Sequence, residues 1–247
     1  MTTQAEAAPH IPNAADEARG ARWERLMALS GVAFVPFFVV GWLTSSGSTP
    51  HYTAVDQKWT NWAHDNQYKG RISALALLVA AFIFFYFIAT IRSVLEEAES
   101  SMRGSKQLAR VAFSGALVGI AGMTMAFVTI ANASSEGANA VPDVSRAVTT
   151  AAGGPFFVGA VGFAASLLAV GVLTLRCGVF ARWTGAVALI GGISFLITLL
   201  TIPGGTGDGS AFGYAFFPAN VALVTWTIAT SIARYKAVAA EPDVAPA

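Results

Sequence analysis

The chain has 247 residues, of which 55% are hydrophobic and only 12% charged, and its mean hydropathy is +0.59. Soluble domains carry about 25% charged residues, so this composition excludes an ordinary soluble fold; the formal net charge of +1 offers no global field for nucleic acid or acidic substrates. The single cysteine, Cys177, excludes an intramolecular disulfide, and with three histidines it leaves little material for a metal centre, so no cofactor is expected.

Residues 1–20 are rich in Ala, Asp, Glu and Pro and have no hydrophobic face, which reads as a disordered tail. Glu6, Asp16 and Glu17 stand where a signal peptide would be basic. Six apolar stretches follow, at 24–44, 71–93, 109–132, 150–175, 182–202 and 212–235. A bilayer crossing takes roughly 20 apolar residues as a helix, and these runs are too long and too continuously apolar for barrel strands. The expected fold is therefore all-α, a polytopic membrane bundle of six transmembrane helices in three hairpins over 21–236. Residues 237–247 read as a second disordered tail.

Basic residues set the orientation. Arg19, Arg22, Arg25, Arg92, Arg103, Lys106, Arg110, Arg176, Arg182, Arg234 and Lys236 fall on the side of the N-terminus. Only Lys58, Lys69, Arg71 and Arg146 fall on the other. Both termini are expected in the cytoplasm of a cell whose plasma membrane holds the bundle. An internal echo relates ARWERLMALSG at 21–31 to ARWTGAVALIG at 181–191. Duplication of a hairpin explains it, and so does convergence, because Trp and Arg both suit the membrane interface.

The first outer loop is the richest segment, HYTAVDQKWTNWAHDNQYKG at 51–70. Thr53 and Asp56 have the spacing of a capping box, with Asp in place of Glu or Gln. Val55, Trp59 and Trp62 share one helical face, while Lys58, Asn61 and Asp65 lie elsewhere. This pattern predicts a short amphipathic helix on the outer membrane surface with its indoles among the headgroups. Trp59, Trp62, His64 and Asp65 are the candidate site there, as a membrane anchor, a lid or an aromatic platform. His51, Asp56, His64 and Asp65 match no zinc spacing, so no metal site is expected.

Gly115, Gly119 and Gly122 form a small-residue face on the third span, as Gly159 and Gly162 do on the fourth. Such faces let helices approach closely, either within one chain or between copies in a homo-oligomer. Gly153, Gly154 and Pro155 open the fourth span, and Cys177 follows it at the basic side. The Gly-rich segment 203–213, with Asp208, reads as a turn, since no Lys or strand accompanies it as in a phosphate loop. Pro218 lies two residues before Asn220 in the sixth span. Its missing N–H frees the carbonyl of Tyr214. Tyr86, Asn132, Pro218 and Asn220 are the candidate lining of an intramembrane polar cavity, with ordinary interhelical hydrogen bonding as the plainer reading.

All 14 acidic residues lie in tails, loops or interface positions. Intramembrane ionisable groups usually mark ion pathways, so an ion-coupled transporter is not expected. No G-x-S-x-G, H-E-x-x-H or P-loop motif occurs.

Three stretches carry a resemblance. They are VDQKWTNWAHDNQYKGRIS through FIATIRSVLEEAE, then VPDVSRAVTTAAGGPFF, then VLTLRCGVFARWTGAVALIGG. The chain resembles, over about residues 22–235, a family of actinobacterial integral membrane proteins carrying a domain of unknown function. That family tends to have Pro before the Arg-Trp-small-Gly turn, where this chain has Ala181 before Arg182, Trp183, Thr184 and Gly185. The resemblance implies a six-helix bundle and a bacterial membrane; it implies no activity and carries no catalytic residue. Two function classes follow. One is a non-enzymatic protein that binds or passes a lipid or small apolar solute, or stabilises a membrane complex. The other is an enzyme at the outer headgroup layer working through His51, Asp56, His64 or Asp65.

Overall fold

A computed structural model describes residues 14–45, 49–51, 53–100, 107–134, 141–200 and 209–240. The described residues form seven helices: α1 (Ala14–Thr44), α2 (Asp56–Ser100), α3 (Gln107–Ala133), α4 (Pro142–Ala151), α5 (Gly153–Cys177), α6 (Arg182–Leu199) and α7 (Gly209–Ala240). They supply six spans long and apolar enough to cross a membrane, α4 and α5 together making one of these. The break between α4 and α5 has a local cause. Pro155 has no N–H to give to the carbonyl of Ala151, so the ladder is interrupted and Ala152 stands between the two helices.

Consecutive spans are packed side by side, and α7 returns to α1, so the six crossings close into a ring. At the α1–α7 seam the Ser231 hydroxyl donates to the carbonyl of Ala28, and Arg234 reaches Glu24 at 3.4 Å. At the α1–α2 seam Ser73 Oγ donates to the carbonyl of Gly41 at 2.7 Å. These hydroxyls bind backbone carbonyls across helices, the usual use of small polar residues where no water competes.

The α3–α5 seam settles where the glycine faces point. A Cβ on Gly115 would stand 2.7 Å from the carbonyl oxygen of Gly162, and one on Gly122 would stand 2.5 Å from the backbone nitrogen of Gly159. Gly119 abuts the ring of Phe163. The two faces meet each other inside one chain, so they are not free to meet a second copy.

Aromatic side chains fill the axis of the ring. Phe34 of α1, Phe84 and Phe87 of α2, Phe163 of α5, Phe195 of α6 and Trp226 of α7 are all buried. Phe84 meets Phe34 at 4.9 Å and Phe163 at 6.2 Å between centroids. Phe163 stacks on Phe195 at 5.5 Å, and Phe87 meets Trp226 edge-on at 5.7 Å. Contacts between tilted rings at these separations are the favoured arrangement for aromatic quadrupoles.

Several boundaries differ from the sequence reading. Helix α1 begins at Ala14, inside the stretch read as a disordered tail, and α7 continues to Ala240, past residue 236. Residues 1–13, 203–208 with Asp208, and 241–247 lie outside the described residues. The larger difference is α2. The outer-loop helix does start at Asp56, but it runs without interruption into the second span as one helix of 45 residues. At 1.5 Å per residue this is about 68 Å, roughly twice the hydrocarbon thickness of a bilayer. The amphipathic segment is therefore a projection of the span rather than a helix of its own.

Candidate functional site

The end of the bundle opposite the start of α1 and the end of α7 carries a cap. Helix α4 lies against the projecting start of α2 and the last turn of α3. Trp59, Trp62, Ala63 and Ala133 form a small core beneath it, joined by Ala54, Ile130 and Val148. Trp59 is 2% exposed and Trp62 8%. The two indoles meet edge-on at 5.9 Å. The expectation of indoles lying among headgroups is thus corrected, because α4 occupies the apolar face that a membrane surface would have covered.

Arg146 fastens this cap. Its guanidinium reaches Asp143 at 2.5 Å, Asp56 at 2.8 Å and the carbonyl of Ala54 at 3.1 Å. It also lies over the Trp59 ring, 5.9 Å from the centroid. Ser145 adds a hydrogen bond to the carbonyl of Ala133 at 2.8 Å. The capping box does not form. Asp56 is turned to Arg146, and the Thr53 hydroxyl is paired with His51 Nδ1 at 2.7 Å.

His64 and Asp65 stand outside this arrangement, 3.6 Å apart with side chains 81% and 75% exposed. Neither is brought to Trp59 or Trp62 except by sequence. Among the described residues no three His, Cys, Asp or Glu side chains are gathered as a metal would require. The four polar residues of the outer loop are therefore dispersed: one holds a cap, one holds a turn, and two face water.

The intramembrane set is dispersed as well. Tyr86 is 40% exposed on the outer face of α2, edge-on to Phe82. Asn132 is exposed on α3. Asn220 is buried in α7, where its amide donates to the carbonyl of Phe216 at 2.8 Å. Pro218 is half-buried in the same helix. These residues occupy three helices and both sides of the wall, so they line no common cavity. Nor does Asn220 make the interhelical hydrogen bond of the plainer reading: its amide bonds to Phe216 within α7 itself.

A concavity does exist, and sequence reasoning missed it. It is a groove of about 390 Å³ on the outer wall between α2 and α3, lined by Leu78, Ala81, Phe82 and Phe85 of α2 and Ala121, Thr124, Met125 and Val128 of α3. Its lining is almost wholly apolar; Thr124 is the exception, a buried hydroxyl with no hydrogen-bond partner. Leu78, Phe82 and Phe85 recur at helical spacing, as do Ala121, Met125 and Val128. That signal could not have singled them out, because in a membrane protein the outward face of every span is apolar.

Glu99 was also missed. It is buried at the other end of α2, and its carboxylate accepts the backbone N–H of Leu108 at 3.1 Å and of Ala109 at 2.9 Å. It caps the start of α3, where unpaired donors and the helix dipole favour a negative charge.

No protein-family model, curated protein or solved structure matches the chain.

Proposed function

We propose that this multi-pass membrane protein is a non-enzymatic lipid binder that takes an acyl chain from the surrounding bilayer into the α2–α3 groove. The observation that carries this reading is the groove itself: an apolar concavity on a wall that faces hydrocarbon. Apolar pockets of about 300–1,000 Å³ are the common size for small-molecule sites. A lateral opening favours an occupant already dissolved in the membrane. Passage along the ring axis has less support, since Phe84, Phe163 and Phe195 occupy it.

The headgroup-enzyme reading also has less support. It needs His51, Asp56, His64 and Asp65 to act together, and Asp56 and His51 are already engaged with Arg146 and Thr53. We further propose a bacterial plasma membrane with both termini cytoplasmic. The bias of basic residues supports that orientation.

The test is native mass spectrometry of protein extracted in native-lipid nanodiscs. The expected spectrum has one retained lipid per chain. Ala121→Trp, at an exposed position in the groove, is expected to remove it while leaving the protein monodisperse. Alanine at His64 and Asp65 is expected to leave occupancy unchanged. A wild-type protein that carries only bulk lipid overturns the reading.

A further inference from the structure

The α1–α7 seam has two unlike flanks. The bond from the Ser231 hydroxyl to the carbonyl of Ala28 fixes the facing points of these two antiparallel helices. Counting about 100° per residue from those points, Glu24 lies about 40° to one side on α1 and Arg25 about 60° to the other. On α7, Arg234 lies about 60° to one side and Tyr235 about 40° to the other. Glu24 and Arg234 are paired at 3.4 Å, so they share a flank. Arg25 and Tyr235 therefore share the opposite flank, one turn beyond the Ser231–Ala28 bond. That flank is the outer wall of the bundle, because Val32 and Ile232, which fall on it by the same count, are exposed. On the inner flank Gly31 abuts the ring of buried Phe87.

Arg25 has no counter-charge in this setting. It is half-buried, its Nε is enclosed without an acceptor, and no ion pair reaches it among the described residues. Glu24, the acid beside it in sequence, is given to Arg234. Arg22, one turn further along α1, is exposed and hydrates its charge in water. A cation partly withdrawn from water is costly unless an anion meets it. The depth says which anion is at hand. From Arg25 to Thr44 is 19 residues, about 28 Å of helix, close to the hydrocarbon thickness of about 30 Å. Arg25 thus stands at the level of lipid phosphates. Tyr235 beside it has the interfacial placement in which the ring sits in the apolar layer and the hydroxyl among headgroups.

We infer that the outer flank of the α1–α7 seam binds the headgroup of an anionic phospholipid from the leaflet at the basic end of the bundle. The Arg25 guanidinium donates to the phosphate oxygens, which its planar fork matches, and the Tyr235 hydroxyl donates beside it. The lipid supplies the negative charge that the chain does not. This site lies on other helices than the α2–α3 groove and does not rest on the reading of that groove.

The experiment titrates the full chain in a neutral detergent with dioctanoyl-phosphatidylglycerol, dioctanoyl-phosphatidylcholine or inorganic phosphate. The readout is the melting temperature, which rises as a ligand fills a site on the folded state. Wild type is expected to bind the phosphatidylglycerol about five-fold more tightly than the phosphatidylcholine, the size of effect one basic residue has at an anionic surface. High salt is expected to shrink that preference. Arg25→Gln is expected to remove it, Arg25→Lys to retain most of it, and Ala121→Trp to leave it unchanged. Equal affinities in wild type, or an unchanged preference in Arg25→Gln, overturn the inference. Loss of the preference in Ala121→Trp overturns it too, by placing the headgroup at the groove. A response to inorganic phosphate as strong as that to phosphatidylglycerol would make the ligand a free anion rather than a lipid.

Discussion

At the scale of single residues, the cap is held by packing more than by charge. Arg146 has two carboxylate partners, but Asp56 and Asp143 are 71% and 80% exposed in their side chains. Exposed pairs of this kind contribute about 0–1 kcal/mol. Trp59 is buried with little to replace it. Large-to-small changes of a buried aromatic cost about 3–5 kcal/mol. Trp59→Ala is therefore expected to loosen α4 from α2 much more than Asp143→Ala does. Hydrogen exchange over 142–151 checks this: protection should fall sharply in the first variant and little in the second. Comparable loss in both would mean that the ion pairs dominate. Glu99 presents the opposite balance. Its buried carboxylate holds two backbone donors, and Glu99→Gln keeps the size while removing the charge and one acceptor. The expected result is a fall in thermal stability with the spans intact.

At the scale of elements, the α3–α5 pair has the least tolerance. Its backbones approach so closely that added methyl groups would meet backbone atoms, which cannot yield as a flexible side chain can. Gly122→Ala is expected to lower the melting temperature of the purified protein, and Gly122→Val to abolish the monodisperse fraction. Gly154→Ala is the control. Nothing lies within 4 Å of a Cβ there, so melting should be unchanged. The long α2 explains why the cap exists. A helix of this length leaves an amphipathic segment beyond the membrane, and α4 covers its apolar side. Pro155 allows this by interrupting the helical ladder between α4 and the span that follows.

At the scale of the whole molecule, a closed ring with an aromatic interior is a solid body rather than a tube. Reconstituted into vesicles, the protein is expected to raise the leak of a small polar dye no higher than protein-free vesicles do. Flux that saturates with dye concentration would show that the axis opens. The proposed orientation is also open to measurement. In a Cys177→Ser background, Lys69→Cys should react with an impermeant maleimide in intact cells. Arg110→Cys should react only after permeabilisation. The reverse pattern would place the cap in the cytoplasm.

The sequence by itself determined that the chain is helical and crosses a membrane several times. Those properties depend on length and hydropathy, which are local sums over about 20 residues. It also marked the glycine faces, because a missing side chain acts where it stands. Only the tertiary structure decided what each apolar face meets. Trp59 and Trp62 have the spacing of a membrane-surface helix, yet α4 covers them, and nothing within 51–70 encodes a partner that lies about 80–90 residues on. Gly115 and Gly162 are legible as close-packing positions, but whether they meet one another or a second copy depends on the fold of the chain. The groove is the clearest case. Leu78 and Met125 look like any lipid-facing residues until α2 and α3 stand side by side with Ala81 and Ala121 too small to fill the space between them.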